Sequence, residues 1–190
     1  MRKIIFLILI FFQYSLSFSQ NNENTHNQHP NLALKDTIKG SPHKIVKAEI
    51  GSMEVVIEYN SPGVRNRIIW GGLVPYNDVW VTGAHYATSI YLTDDVYIAD
   101  KFLPKGKYAF FTIPGKEKWI LIFNRNWRQH LADDYDPSLD VLRFEVVPEK
   151  PENPVERLTY EVTKKNKKSG IISMAWENVK IGFLFEVDED

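Results

Sequence analysis

Apolar and polar residues alternate along most of this chain with a period of two, as strands with one buried face require. Between Ser52 and Tyr59, the residues Val55, Ile57 and Tyr59 alternate with Glu54, Val56 and Glu58, and Gly51 sets this run off from His43 to Ile50 as a turn. Val141 to Val147 sends Leu142, Phe144 and Val146 inward and Arg143 and Glu145 outward. Leu158, Tyr160 and Val162 do the same opposite Arg157, Thr159 and Glu161. Ser89 to Leu92 and Val96 to Ile98 flank Thr93-Asp94-Asp95, which reads as a hairpin-like turn, and Ile171 to Trp176 and Val179 to Phe185 flank Glu177-Asn178. Lys107 to Ile113 and Trp119 to Phe123 are nearly continuous apolar runs joined by Pro114 to Lys118, as strands covered on both faces would be. They are the expected central strands. No window carries a helical stripe, so the pattern predicts an all-β fold. The architecture expected is an antiparallel β-sandwich, jelly-roll-like, with little or no helix, forming a single domain over 41–187.

One stretch departs from the alternation. Ser61 to Thr88 holds Trp70, Trp80, Tyr76, Tyr86, two arginines, a histidine, two prolines and four glycines. Aromatic, turn and polar residues at that density mark a loop-rich surface on a rigid scaffold. The Pro148 to Pro154 segment is too proline-rich for a central strand, and the lysines of Lys164 to Lys168 read as a solvated hairpin tip.

The N-terminus adds a location. Arg2 and Lys3 precede an unbroken apolar run from Ile4 to Phe12, and Ser17-Phe18-Ser19 supplies small residues before Gln20. This is a signal-peptide layout over 1–19 with cleavage between Ser19 and Gln20, and the run is too short to span a bilayer, which takes ~20 residues. Residues 20–40, rich in Asn, Gln and His, read as a flexible mature N-terminus, with His26 and His29 in its tract. A periplasmic or extracellular protein follows, with no membrane insertion of the mature chain. Charge and composition narrow the partners: 23 basic and 24 acidic side chains leave a formal charge of −1, against nucleic acid as a partner. With no cysteine, the chain has neither disulfide staples nor a thiolate nucleophile or ligand.

Catalytic motifs are lacking: the chain has no GxSxG elbow, HExxH, P-loop or dinucleotide fingerprint. His85 in Thr82 to Thr88 lacks a motif partner, so a polar loop residue is the plainer reading. Asp133, Asp134, Asp136 and Asp140 carry oxygens suited to calcium, but they miss the EF-hand spacing and sit among turn formers, so a solvated loop is preferred. No metal and no cofactor is expected.

The run Arg67-Ile68-Ile69-Trp70-Gly71-Gly72-Leu73-Val74-Pro75-Tyr76, followed by Trp80, Thr82-Gly83-Ala84 and Ala87-Thr88, resembles the bacterial family of exported proteins called domain of unknown function 2911. Leu103 to Tyr108, Phe111 to Gly115, Trp119, Ile122 to Asn124, Tyr135-Asp136, Asp140 to Arg143 and Trp176-Glu177-Asn178 continue the likeness over Ser41 to Phe185. The resemblance implies no established activity. It also marks departures: the family tends to have arginine at Val81, asparagine at His85 and a Trp-Gly pair at His130-Leu131, which implies a different or weaker ligand here.

The functional expectation is a non-catalytic exported binding module for a small molecule, a glycan or an envelope partner. Arg67, Tyr76, Trp80, Thr82 and His85 are the candidate ligand-binding residues, with Arg67 supplying charge and donors and Trp80 and Tyr76 flat apolar contact. Two alternatives stand beside it: a hydrolase-like enzyme pairing His85 or His130 with Asp78, Asp133 or Asp136, and a structural envelope protein.

Overall fold

The computed structural model describes residues 38–188. The expected signal peptide, its cleavage point, His26 and His29 lie outside the described residues, as does the expected flexible N-terminus up to residue 37.

Among the described residues eleven strands form two antiparallel sheets. In chain order they are β1 (His43–Ile50), β2 (Met53–Asn60), β3 (Ser89–Leu92), β4 (Val96–Ile98), β5 (Lys101–Leu103), β6 (Gly106–Ile113), β7 (Trp119–Asn124), β8 (Asp140–Val146), β9 (Val155–Lys164), β10 (Ser169–Glu177) and β11 (Val179–Val187). The first sheet runs β1-β2-β3-β6-β7-β8 and the second β5-β4-β11-β10-β9. The expected antiparallel sandwich is the fold, and the one helical element described is a 3-10 turn at Pro137–Leu139.

Alternation becomes burial as the pattern requires. On β2, Met53, Val55, Ile57 and Tyr59 are buried while the residues between them reach the other face. Their buried faces meet those of β3, β6, β7, β10 and β11 in a core built around Phe110, Trp119, Phe123, Trp176 and Phe185. Gly51 closes the β1–β2 turn at φ +65, and a Cβ there would lie 2.5 Å from the Lys167 carbonyl oxygen, so glycine is required twice over. The lysine run does form the tip joining β9 to β10, where Lys165 and Asn166 donate backbone N–H groups to the Ser169 carbonyl.

The two apolar runs are interior strands of the first sheet, as expected, and both their faces are covered. The inward face packs in the main core. On the outward face Ala109, Phe111 and Ile122 join Val81 and Ala87 in a second, smaller core, roofed by Trp127, Ala132 and Tyr135. The chain between β7 and β8 thus folds back over the sheet instead of leaving it. One expectation is corrected: Thr93-Asp94-Asp95 is not a hairpin turn, because β3 pairs with β2 and β6 while β4 pairs with β5 and β11 in the other sheet. The turn carries the chain across the core. Local turn chemistry is the same for either path, and only sheet partners distinguish them.

Candidate functional site

The Ser61–Thr88 stretch closes one end of the sandwich. Its first residues leave β2 and pair with β9, through Val64 N–H to the Glu156 carbonyl (2.8 Å) and Leu158 N–H to the Pro62 carbonyl (3.0 Å). Tight turns follow, with Leu73 and Val74 N–H bonded to the carbonyls of Ile68 and Ile69. The chain then returns to the first sheet, where Trp80 and Thr112 exchange backbone bonds of 2.8 and 3.0 Å, extending the ladder beyond the short β3. Between these anchors Ile69 and Val74 enter the main core, and Trp70 and Trp80 pack against it. Trp70, Trp80, Trp119 and Trp176 form an edge-on and stacked cluster, with Trp80 and Trp176 at 5.8 Å and 21° between planes.

The candidate residues divide. Thr82 is fully buried at φ +51; its hydroxyl donates to the Trp80 carbonyl (3.2 Å), and its carbonyl accepts from Thr88 Oγ1 (3.0 Å) and Tyr160 OH (2.8 Å). Tyr76 is half-buried, its ring lying where a side chain on Gly71 would be. Both hold the stretch together, and neither lines the groove formed by the other three. Arg67, Trp80 and His85 line one groove of about 290 Å3, with Leu73, Val81, Leu131 and Trp176. Arg67 bends its guanidinium onto its own turn, donating from Nε to the Val64 carbonyl (3.2 Å) and from Nη2 to the Gly63 carbonyl. Trp80 donates its indole N–H to the Gly83 carbonyl at 3.1 Å. Trp176, 1% exposed, has a buried indole N–H without a protein partner, as does Trp70. A buried orphan donor of this kind is costly unless something accepts from it.

The 85–87 segment pairs with 129–131: Leu131 N–H donates to the His85 carbonyl at 2.6 Å and Ala87 N–H to the Gln129 carbonyl at 3.0 Å. His85 (φ +62) and Leu131 (φ +51) both hold left-handed backbone that non-glycine residues seldom adopt. Of the four positions at which the resemblance marked a departure, Val81, His85 and Leu131 line this groove and His130 does not.

A larger cleft of about 560 Å3 lies across the paired segments, on the outer face of the first sheet. His43, Glu58, Asn60, Ser89 and Lys107 form its floor and Tyr86, Trp127 and Arg128 its wall. Lys107 Nζ is 2.9 Å from Glu58 Oε1 and 4.3 Å from the centre of the Trp127 ring; the Arg128 guanidinium is 4.6 Å from that ring. Sequence reading did not group these residues. Nothing in chain order links Glu58 to Lys107 or either to Trp127.

Among the described residues neither His85 nor His130 lies within ion-pair distance of a carboxylate, and His130 meets the Tyr86 ring edge-on at 5.8 Å. Asp136 and Asp140 serve the loop itself. Asp136 Oδ1 accepts from Ser138 N–H at 2.8 Å and starts the 3-10 turn, and Asp140 accepts from Tyr135 OH (2.7 Å) and Asn124 Nδ2 (2.8 Å). No group of three or more His, Asp or Glu among the described residues could hold a metal ion. No helix among them is long and apolar enough to cross a membrane.

Comparison with known families gives one match, over residues 41–185, to a family described as a protein of unknown function (DUF2911). No curated protein and no solved structure matches the chain.

Proposed function

This chain belongs to the DUF2911 family, and from that premise we propose that it is an exported, non-catalytic binding module that holds a small molecule or a sugar unit in the Arg67–Trp80–His85 groove. The observation that carries the reading is convergence. Three of the five residues singled out from sequence line one concave site, together with Leu131 and Trp176 from distant parts of the chain. Its volume, about 290 Å3, is at the small end for ligand sites, which run from ~300 to 1,000 Å3, so it suits a compact ligand better than a protein partner.

The chemistry of the lining supports an acceptor-bearing ligand. Arg67 keeps N–H groups beyond the two held by its own turn, and His85 is exposed. Leu73, Val81 and Leu131 add apolar wall. The positive φ at both His85 and Leu131 supports a function for this rim, since strained backbone is retained where geometry matters. Lack of a carboxylate beside either histidine favours binding over the hydrolase alternative. The signal-peptide layout supports export.

The test is a ligand screen read by tryptophan fluorescence, because Trp80 and Trp176 both line the groove. A ligand should shift the emission of the wild type and lose affinity in His85→Ala and in Leu131→Trp, which fills the groove. Equal affinity in both variants refutes the site, and turnover of the ligand refutes the non-catalytic reading.

A further inference from the structure

We propose that the Trp127–Arg128 cleft is a second and separate binding site, for an acidic oligosaccharide that lies along the outer face of the first sheet. The inference stands apart from the Arg67–His85 groove, sharing no lining residue with it.

Three features select the ligand. The first is flat apolar surface beside hydrogen-bonding groups: Tyr86 is 66% exposed, Trp127 is half-buried, and Asn60, Ser89 and Glu58 lie below them. A pyranose ring offers C–H faces to aromatic rings and hydroxyls to such groups, so this combination fits sugar better than a wholly apolar molecule. The second is charge. Lys107 and Arg128 face one carboxylate, Glu58, which Lys107 already engages at 2.9 Å and His43 Nε2 approaches at 3.9 Å. Among the described residues Arg128 has no carboxylate partner and is held over Trp127 instead. A guanidinium fixed beside an aromatic plane is placed to take a sugar carboxylate while the ring next to it takes the sugar face.

The third is length. A neighbouring depression of about 440 Å3, lined by Ile45, Lys47, Glu54, Val56 and Tyr91, shares Glu58 and Lys107 with the cleft. The two make one trough along β1, β2 and β3, with Tyr91, 39% exposed, as a further aromatic surface. A trough with aromatic residues spaced along it fits several linked sugars better than one.

The experiment is calorimetric titration of the purified protein with tetragalacturonate, with neutral cellotetraose and single-stranded oligothymidine as comparators. Saturable binding of tetragalacturonate is expected, weakening as salt rises. Arg128→Gln should lose about tenfold or more, as removal of a charge-assisted hydrogen bond does. Tyr86→Ala should lose about fivefold, the worth of one aromatic contact. Both residues are exposed, so both variants should keep the wild-type circular dichroism spectrum. Leu131→Trp, which blocks the other groove, should leave this binding unchanged. The proposal is overturned if tetragalacturonate does not bind saturably, if cellotetraose or oligothymidine binds as tightly, or if Arg128→Gln and Tyr86→Ala bind like the wild type.

Discussion

The phenol of Tyr160 on β9 donates a 2.8 Å hydrogen bond to the carbonyl of Thr82, a residue with left-handed backbone 78 positions earlier. Through this bond the second sheet fixes the bend that leads from Trp80 to His85. Thr88 Oγ1 bonds the same carbonyl, so removing the phenol does not orphan it. Tyr160→Phe should therefore lower unfolding free energy by about 1 kcal/mol, the net worth of one internal hydrogen bond, in urea denaturation. Burial raises the Tyr160 pKa well above the usual 10. Stability from this group is complete below the unfolded value and is lost as pH climbs through the folded one, so Tyr160→Phe should flatten the alkaline limb of the stability profile.

Asp136 gives the matching effect in acid. Its pKa is lowered, first by the Ser138 hydroxyl and then by the Ser138 N–H. A lowered carboxylate contributes stability that is present above the unfolded pKa and disappears as pH falls through the folded one. In Ser138→Ala the Asp136 carboxyl should titrate closer to the ordinary aspartate value in an NMR titration; an unchanged titration would remove the hydroxyl as the cause.

Gly170 on β10 has no room for a side chain. A Cβ there would stand 2.8 Å from the Phe185 ring and 3.2 Å from Ile50 Cδ1. Gly170→Ala should cost about 1–3 kcal/mol by overpacking, measured by chemical denaturation.

How much of this was legible in the sequence depends on range. Met53, Val55, Ile57 and Tyr59 show β2 outright, because burial on one face leaves a period of two. The apolar runs at 107–113 and 119–123 correctly announce strands covered on both sides, though not that Trp127 and Tyr135 form part of the cover. Lys101–Leu103 escaped notice as a strand, being three residues at a sheet edge, with two of them exposed. Arg67, Trp80 and His85 were legible as a group because they crowd one irregular stretch. Trp176 and Leu131 reach the same groove only through tertiary pairing. Tyr76 and Thr82 drew attention for the same reason of crowding; the Thr82 hydroxyl and carbonyl are hydrogen-bonded inside the stretch and the Tyr76 ring lies beside Gly71. Composition does not separate a residue that braces a loop from one that faces out of it.

Tyr135 ties down the segment that walls the larger cleft. Its hydroxyl bonds Asp140 Oδ2 at 2.7 Å, and its ring meets Phe111 at 5.1 Å. Tyr135→Phe should accelerate amide hydrogen exchange across residues 126–135 and lower global stability by only about 1–2 kcal/mol. Slow exchange in the variant, equal to wild type, would show that apolar packing alone holds the segment.

The second small core beneath that segment also bears on binding kinetics. A surface loop with no packing of its own must be ordered by its ligand, and association then waits on closure and loses affinity to the entropy of ordering. The 125–136 segment rests on Phe111, Ile122, Val81 and Ala87 through Trp127, Ala132 and Tyr135. It stands in place before any ligand arrives. Ligands entering the cleft should therefore bind in one kinetic step, with an observed rate that rises linearly with concentration and no slow second phase.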